Sequence, residues 1–490
     1  MVDTTRPWTA WIDGARVAPR RDDTRPLINP ATEEAHDEVV DSDPAEVDRA
    51  ISAAREAFKE WRSTSPAERS RILLRLADLI EREANTLSML EVEDTGKPLA
   101  TMRDGELSFA VDNLRFFAGS ARSLEGTGAG SFNRGYLSLL TRHPVGVVGA
   151  LAPWNFPLIM AIWKAGAALA AGCTVVLKPA PNTPRTSIAL AELAREAGLP
   201  AGVINVVLGG DEVGRAIVEH PGVDMVSLTG STDTGRQVMA QAAKTLKRVV
   251  LELGGKAPFV VFGDVDLEVV VPSAVLASTY NCGQDCTAAT RIYVERALLP
   301  EFTDALANAL GELTIGDPLD PEVAVGPLIS GEHRERVRGF VDRAEAEGAN
   351  VITVGSVPDR GFFFPPVVVL DADQRSEIVQ DEVFGPVVTV LGFDDEEEAV
   401  ALANDVRYGL AASVWTHDVG RALRVGSQLE SGVVWINDHL PIVSEMPHGG
   451  VKQSGFGKDM SQEAVLEHTV SRHMMIRHLP PERPEGFRPN

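Results

Sequence analysis

Between residues 145 and 253, short apolar runs alternate with stretches whose apolar positions recur at helical spacing. The runs at 146–151, 174–178, 203–208, 225–229 and 249–253 read as strands, and the alternation predicts βαβ units around a parallel sheet. The helix between the second and third strands is well punctuated. Thr183 is placed to cap it, Pro184 suits its first turn, Leu190, Leu193, Ala194 and Ala197 share one face, and Gly198 stops it before Pro200. A second α/β region runs from about 255 to 449, with strands expected at 291–294, 387–391, 413–416 and 432–436 and a helix at 394–404. The acidic stretch 394–398 reads as that helix's solvated start. Two half-polar, strand-like stretches, 135–142 and 470–478, fit neither core and are expected to pair with each other or with another subunit. The weakly polar run 160–177 resembles a membrane span, but Lys164 interrupts it and Ala and Gly dominate its middle, so a buried helix followed by a buried strand is expected. The chain has no internal repeat and no long Pro/Ser linker.

Composition narrows the functional classes. With 490 residues, 44% hydrophobic and 24% charged, the chain is expected to fold as an ordinary globular protein of about three units. Its net charge of −24 repels phosphate backbones and anionic lipid, which argues against nucleic acid and membrane as partners. Three cysteines, Cys173, Cys282 and Cys286, suit a reducing compartment. The opening MVDTTRPWTAWIDG lacks a basic segment followed by an apolar core, so a cytoplasmic location is expected.

Four clusters at or near strand ends carry candidate chemistry, because ligands bind at the carboxyl ends of parallel strands. NCGQDC holds Cys286 in a polar, glycine-containing loop, where a thiolate is a plausible nucleophile and Cys282 lies close to the turn. No second cysteine pair or histidine cluster accompanies this CxxxC, so no metal is expected. ELGGK ends a strand with Glu252, placed either to act as a general base or to pair with Lys256. PWNFP presents the Asn155 amide on a rigid turn, suited to a developing oxyanion. TGSTDTG joins a strand to a helix, with N–H groups and Ser231 able to hold a phosphate, though it is neither GxGxxG nor a P-loop.

These clusters together with KPAPNTP and EVFGP, in this order and spacing from about residue 28 to 458, resemble the NAD(P)-dependent aldehyde dehydrogenase superfamily. The resemblance implies Cys286 as nucleophile, Glu252 as the base for the deacylating water, and Asn155 with the Cys286 backbone N–H as oxyanion hole. It implies Lys178 at the adenine ribose, Ser231 at the pyrophosphate, Glu382 and Phe384 at the nicotinamide riboside, with Trp154, Pro181, Gly209 and Gly230 lining the same cleft. Pro181 departs from the pattern, because NAD-preferring members often carry glutamate there; NAD is expected, with NADP possible. The implied fold is α/β: a Rossmann-like cofactor domain (1–127 and 147–254), an α/β catalytic domain (255–449) and a small β-flap bridging element (128–146 and 450–490) serving oligomerisation, as a dimer or homotetramer.

Segments 444–461 and 283–293 most resemble the γ-aminobutyraldehyde dehydrogenases of bacterial putrescine catabolism. An ω-aminoaldehyde is cationic at one end, so its tunnel needs an anion or an aromatic face at a set distance from the thiol. Glu106 and Asp285 are the expected anions, with Asp104 and Asp112 as alternatives; Trp163, Tyr280 and Phe109 are the expected walls. Against this stands the reading of Glu106 as an exposed helix residue. The alternatives are betaine aldehyde, or succinic semialdehyde with Arg103 or Arg115 holding its carboxylate. A CoA-acylating enzyme would not need Glu252, and a silent scaffold of the same fold would not need Cys286, Glu252 and Asn155 together.

Overall fold

The structure is a computed structural model that describes residues 2–18, 24–124 and 128–479. The expected boundary at 127 and the end of the expected element 450–490 lie outside the described residues. Two sheets organise the chain. The first has eight strands, and its five parallel members lie in the order Ile204–Val206, Thr174–Lys178, Val147–Leu151, Met225–Thr229 and Arg248–Glu252. Strand order reverses between Val147–Leu151 and Met225–Thr229, so the loops after these two strands diverge and open a crevice at their carboxyl ends. All five residues of each of these two strands are buried, as helices on both faces require.

The apolar run after the first strand forms helix Pro157–Ala171, buried along its whole length, and then strand Thr174–Lys178. Lys164 in the middle of that helix is satisfied by Asp459, with Nζ to carboxylate distances of 2.7 and 2.8 Å. The next helix starts at Arg185 rather than around Pro184: Pro184 is its N-cap, and Thr183 is fully buried without capping it. Tertiary burial has overridden the local capping signal there, while Gly198 ends the helix in the left-handed conformation as the sequence indicates.

The second sheet has seven strands in the order Asn350–Thr353, Val367–Leu370, Val387–Phe393, Ala289–Glu295, Ala257–Val261, Ala411–Trp415 and Val433–Ile436, parallel except for the first. Ala257–Val261, near its centre, follows the ELGGK turn so closely that the sequence reading missed it. The two stretches outside both cores pair with each other, Tyr136–Pro144 antiparallel to Thr469–Arg477 over nine residue pairs. Gly455–Phe456 extends the first sheet beside Arg248–Glu252. Among the described residues no helix is long and apolar enough to cross a membrane.

Candidate active site

Cys286 lies where two cavities meet. One, of about 370 Å³, is lined by Glu106, Phe109, Phe156, Trp163, Tyr280, Asp285, His448 and neighbouring residues. The other, of about 240 Å³, opens at the crevice of the first sheet and is lined by Trp154, Asn155, Gly230, Ser231, Glu252, His333, Glu382 and Phe384, among others. Cys286 lines both.

The loop that carries the thiol is held in an uncommon conformation. Asn281, Cys282 and Gly283 have φ values of 49°, 58° and 69°, three successive residues in the left-handed region. A side chain at Gly283 would collide with the backbone of Gly385 and Pro386, so the NCGQDC and EVFGP loops lock together there. Side-chain bonds over-determine the turn. Asn281 Nδ2 donates to the Asn155 carbonyl (2.9 Å), Gln284 Nε2 to the Asn281 carbonyl (2.9 Å), and Gln284 Oε1 accepts from Ile329 N (2.8 Å). Asn155 Nδ2 donates to the Gln284 carbonyl at 3.1 Å, and an amide group has a second N–H. Of the cysteines, Cys282 is buried among Val325, Leu328 and Val337, and Cys173 donates to the His468 carbonyl at 3.2 Å. Burial pushes the Cys173 thiol up to about 12 and raises Cys282 as well. Cys286 is half-buried and also raised, first by its desolvated surroundings and then by the charges of Glu252 and Asp285.

Glu252 is the last residue of its strand and is buried. Neither of its carboxylate oxygens takes a hydrogen bond among the described residues, an expense that calls for a reacting group nearby. It does not pair with Lys256, whose ammonium is buried and lowered to about 7, chiefly by burial. Gly255 is required because a Cβ there would strike the Cys286 carbonyl.

The expected cofactor residues fall into two groups along the crevice. Ser231 is the N-cap of helix Thr232–Ala242, with its hydroxyl accepting from Thr234 N at 3.1 Å, so Gly230 and Ser231 stand at a helix N-terminus. Lys178, lowered to about 8 chiefly by burial, reaches the Gly209 carbonyl at 3.0 Å. Pro181 lies beside them, and its carbonyl accepts from Arg25 at 3.1 Å. Arg25 also pairs with Asp41 at 3.0 Å, a cation and an acid the sequence reading did not single out. At the other end, Glu382 Oε1 accepts from Gly255 N at 2.9 Å and is raised to about 7, chiefly by desolvation. Trp154 packs edge-on against Phe384 (5.3 Å) and His333 (5.4 Å). His333, also missed, bonds the Phe384 carbonyl at 2.7 Å and positions that ring.

The larger cavity is mostly apolar, with Phe109, Phe156, Trp163 and Tyr280 among its walls. Trp163 meets Phe109 edge-on at 6.4 Å and His448 at 5.2 Å, and Tyr280 stacks on Phe156 at 6.2 Å. Glu106 is buried in its wall, not exposed on a helix face. It accepts from Lys97 Nζ at 2.5 Å and from the Tyr280 hydroxyl at 3.3 Å. Lys97 is fully buried and also reaches Glu91 (3.4 Å) and the Asn155 carbonyl (3.0 Å), so Glu106 is already charge-paired. Burial raises Glu106 to about 7 despite that ammonium. Asp285 Oδ1 accepts from the Thr287 amide and hydroxyl, both at 2.8 Å. Asp104 is exposed beside Arg103, Asp112 accepts from Ser444, and Arg115 pairs with Asp78 and Glu81, so none of these four projects into the cavity.

Residues 17–474 match the model of the aldehyde dehydrogenase family. The chain is 41% identical over 454 residues to a betaine aldehyde dehydrogenase of Vibrio vulnificus, covering 92% of this chain and 93% of that protein. A solved betaine aldehyde dehydrogenase of Staphylococcus aureus, in complex with NAD+, superposes with a TM-score of 0.96 at 39% identity, over 99% of this chain and 97% of that one. A mutant aldehyde dehydrogenase of Bacillus cereus gives 0.94 at 39%, over 96% of each.

Proposed function

The chain belongs to the aldehyde dehydrogenase family, and on that premise we propose that it oxidises an aldehyde bearing a cationic nitrogen, with betaine aldehyde as the leading substrate. The observation that carries this reading is the aromatic-lined cavity that ends at Cys286. A quaternary ammonium has no N–H to donate and is held by aromatic rings; Trp163, Tyr280 and Phe109 line the cavity, while the Phe156 ring already carries the Lys97 ammonium at 4.6 Å. The three carboxylates on the cavity wall already have partners, Glu106 in Lys97, Asp285 in Thr287 and Asp438 in the His439 amide, so none needs a hydrogen bond from substrate. The betaine aldehyde dehydrogenases among the relatives support the same choice. A second reading, 4-aminobutyraldehyde, rests on the acceptors Glu106 and His448 in that wall, which a primary ammonium would use.

NAD fits the smaller cavity, which runs from a helix N-terminus at the strand-order switch to the thiol; when bound, it supplies a hydride acceptor. Ser231 and Gly230 would hold its pyrophosphate, Lys178 its adenine ribose, and Glu382 its nicotinamide riboside, with Trp154 and Phe384 walling that end. In the reaction, Cys286 loses its proton to solvent and adds as the thiolate to the carbonyl carbon. Asn155 Nδ2 and the Cys286 backbone N–H hold the oxyanion. Loss of hydride leaves a thioester on Cys286, and Glu252 then takes a proton from the water that releases the carboxylate. A cationic substrate offsets the negative charge of Glu252 and Asp285 and so brings the raised Cys286 thiol back toward ionisation.

The division into cofactor, catalytic and bridging units at the expected boundaries is proposed as well. The paired strands Tyr136–Pro144 and Thr469–Arg477 expose Val470, Met474, Met475 and Ile476, and a two-stranded ribbon is marginal alone, so we place it against another copy in a dimer or tetramer. Three unpaired cysteines are in keeping with the cytoplasm. The deciding experiment compares kcat/KM for betaine aldehyde, 4-aminobutyraldehyde and 3,3-dimethylbutanal, the uncharged isostere of betaine aldehyde. Betaine aldehyde should exceed its isostere by about 10- to 100-fold, the scale of a desolvated cation–π contact or two. Equal values would overturn the cationic-substrate reading, and a preference for 4-aminobutyraldehyde would select the second.

A further inference from the structure

Glu252, Cys286 and His448 come from three separate parts of the chain, and no local spacing announces them as a set. Their donor atoms, a carboxylate oxygen, a thiol sulfur and an imidazole nitrogen, all lie within 4.8 Å of one another. Glu252 and His448 are buried, and neither Glu252 oxygen takes a hydrogen bond among the described residues. Tetrahedral zinc holds sulfur at about 2.3 Å and nitrogen or oxygen at about 2.0–2.2 Å, which sets donor separations of roughly 3.3–3.6 Å. The gap between His448 Nε2 and Glu252 Oε1 is already 3.5 Å. Only the thiol has to move, and the Cys286 side chain lies between two cavities with room to turn.

We propose that Glu252, Cys286 and His448 form a reversible, inhibitory binding site for a borderline-soft divalent cation of the zinc type. Thiolate and imidazole select such ions over magnesium or calcium. One thiolate and one carboxylate neutralise the 2+ charge, and the fourth position faces the open cavities. Binding exchanges the S–H bond of Cys286 for an S–metal bond and releases one proton; nothing is oxidised or reduced. The ion would occupy the nucleophile and the general base together, so inhibition is complete at one ion per chain. The site is independent of which aldehyde the enzyme takes.

Cobalt(II), a spectroscopic substitute for zinc, tests this on the full chain without added thiols. The expected result is one tight cobalt per chain, with thiolate-to-cobalt charge-transfer absorption and loss of NADH formation that a chelator fully restores. Cys286→Ala should abolish the absorption, Cys282→Ala should keep it, and His448→Phe should weaken cobalt binding by at least about a hundredfold, beyond the cost of losing an outer-sphere partner. Charge-transfer absorption that survives Cys286→Ala, or inhibition without that absorption in the wild type, would overturn the proposal. So would the absence of stoichiometric binding. Protection of Cys286 from alkylation by zinc in the wild-type protein checks the site without any variant.

Discussion

The two cavities that meet at Cys286 are made from different parts of the fold. The smaller is framed largely by loops that leave strands: Trp154 and Asn155 follow Val147–Leu151, Gly230 and Ser231 follow Met225–Thr229, and Glu252 ends its own strand. Parallel pairing sets the register of the strands those positions follow or end. The larger is walled by helices and by the loop after Val433–Ile436, and its side chains come from segments far apart in sequence. Strand ends therefore carry Asn155, Ser231 and Glu252, the loop before strand Ala289–Glu295 carries Cys286, and helix faces line the larger cavity. Substitutions on the two sides should then fail in different ways.

The largest effect is expected at the shared wall. Cys286→Ala should abolish oxidation while cofactor still binds, and Cys282→Ala, a core change, should keep at least about a tenth of the activity, as steady-state assays on folded protein will tell. Next comes Glu252→Gln, which should slow turnover by about 10²–10⁴-fold yet retain a first-turnover burst of NADH, because deacylation is the step that needs the base. Stopped-flow traces without a burst would move Glu252 to the acylation step.

On the substrate side the expected losses are smaller and selective. If the cation is quaternary, Trp163→Ala should cut kcat/KM for betaine aldehyde by about 10-fold and Glu106→Gln by less; if it is a primary ammonium, Glu106→Gln should cost roughly 10- to 150-fold on 4-aminobutyraldehyde. Neither should affect an uncharged aldehyde of similar length to that degree, and equal losses on all three substrates would remove the cationic reading. The smallest effect is at the adenine end. Without an acid at Pro181, discrimination against NADP should not exceed about 3 kcal/mol, and Arg25→Ala should weaken NADP more than NAD by about 10-fold. A thousandfold or greater preference for NAD that survives this change would point to Asp41 as the excluding group.

The same contrast explains what the sequence disclosed. Strands such as Met225–Thr229 and Thr174–Lys178 match their predicted runs end for end, because a strand buried on both faces reads as a near-continuous apolar run. Glu252 and Asn155 were legible because each sits beside a glycine- or proline-marked turn at the carboxyl end of a strand; Cys286 was legible from its polar, glycine-containing loop, although that loop follows helix Leu267–Thr279 and leads into strand Ala289–Glu295 instead of ending a strand. Lys97 was not: a lysine after a TG turn carries no local sign that it will be buried between Glu91 and Glu106 and bonded to the Asn155 carbonyl. His448 and Arg25 were equally silent, since each gains its meaning from a partner far along the chain. Thr183 shows the opposite failure, a strong local cap signal erased by burial.

The central claim is that Cys286, and no other thiol, carries the substrate as a thioester that Glu252 later helps to release. The most direct test is to mix Glu252→Gln with aldehyde and NAD, quench, digest and weigh the cysteine peptides. An acyl mass on the peptide at Cys286, in near-stoichiometric amount and matched by one equivalent of NADH, is the predicted result. NADH formed without that mass, or an acyl group found on Cys282 or Cys173, would contradict the account.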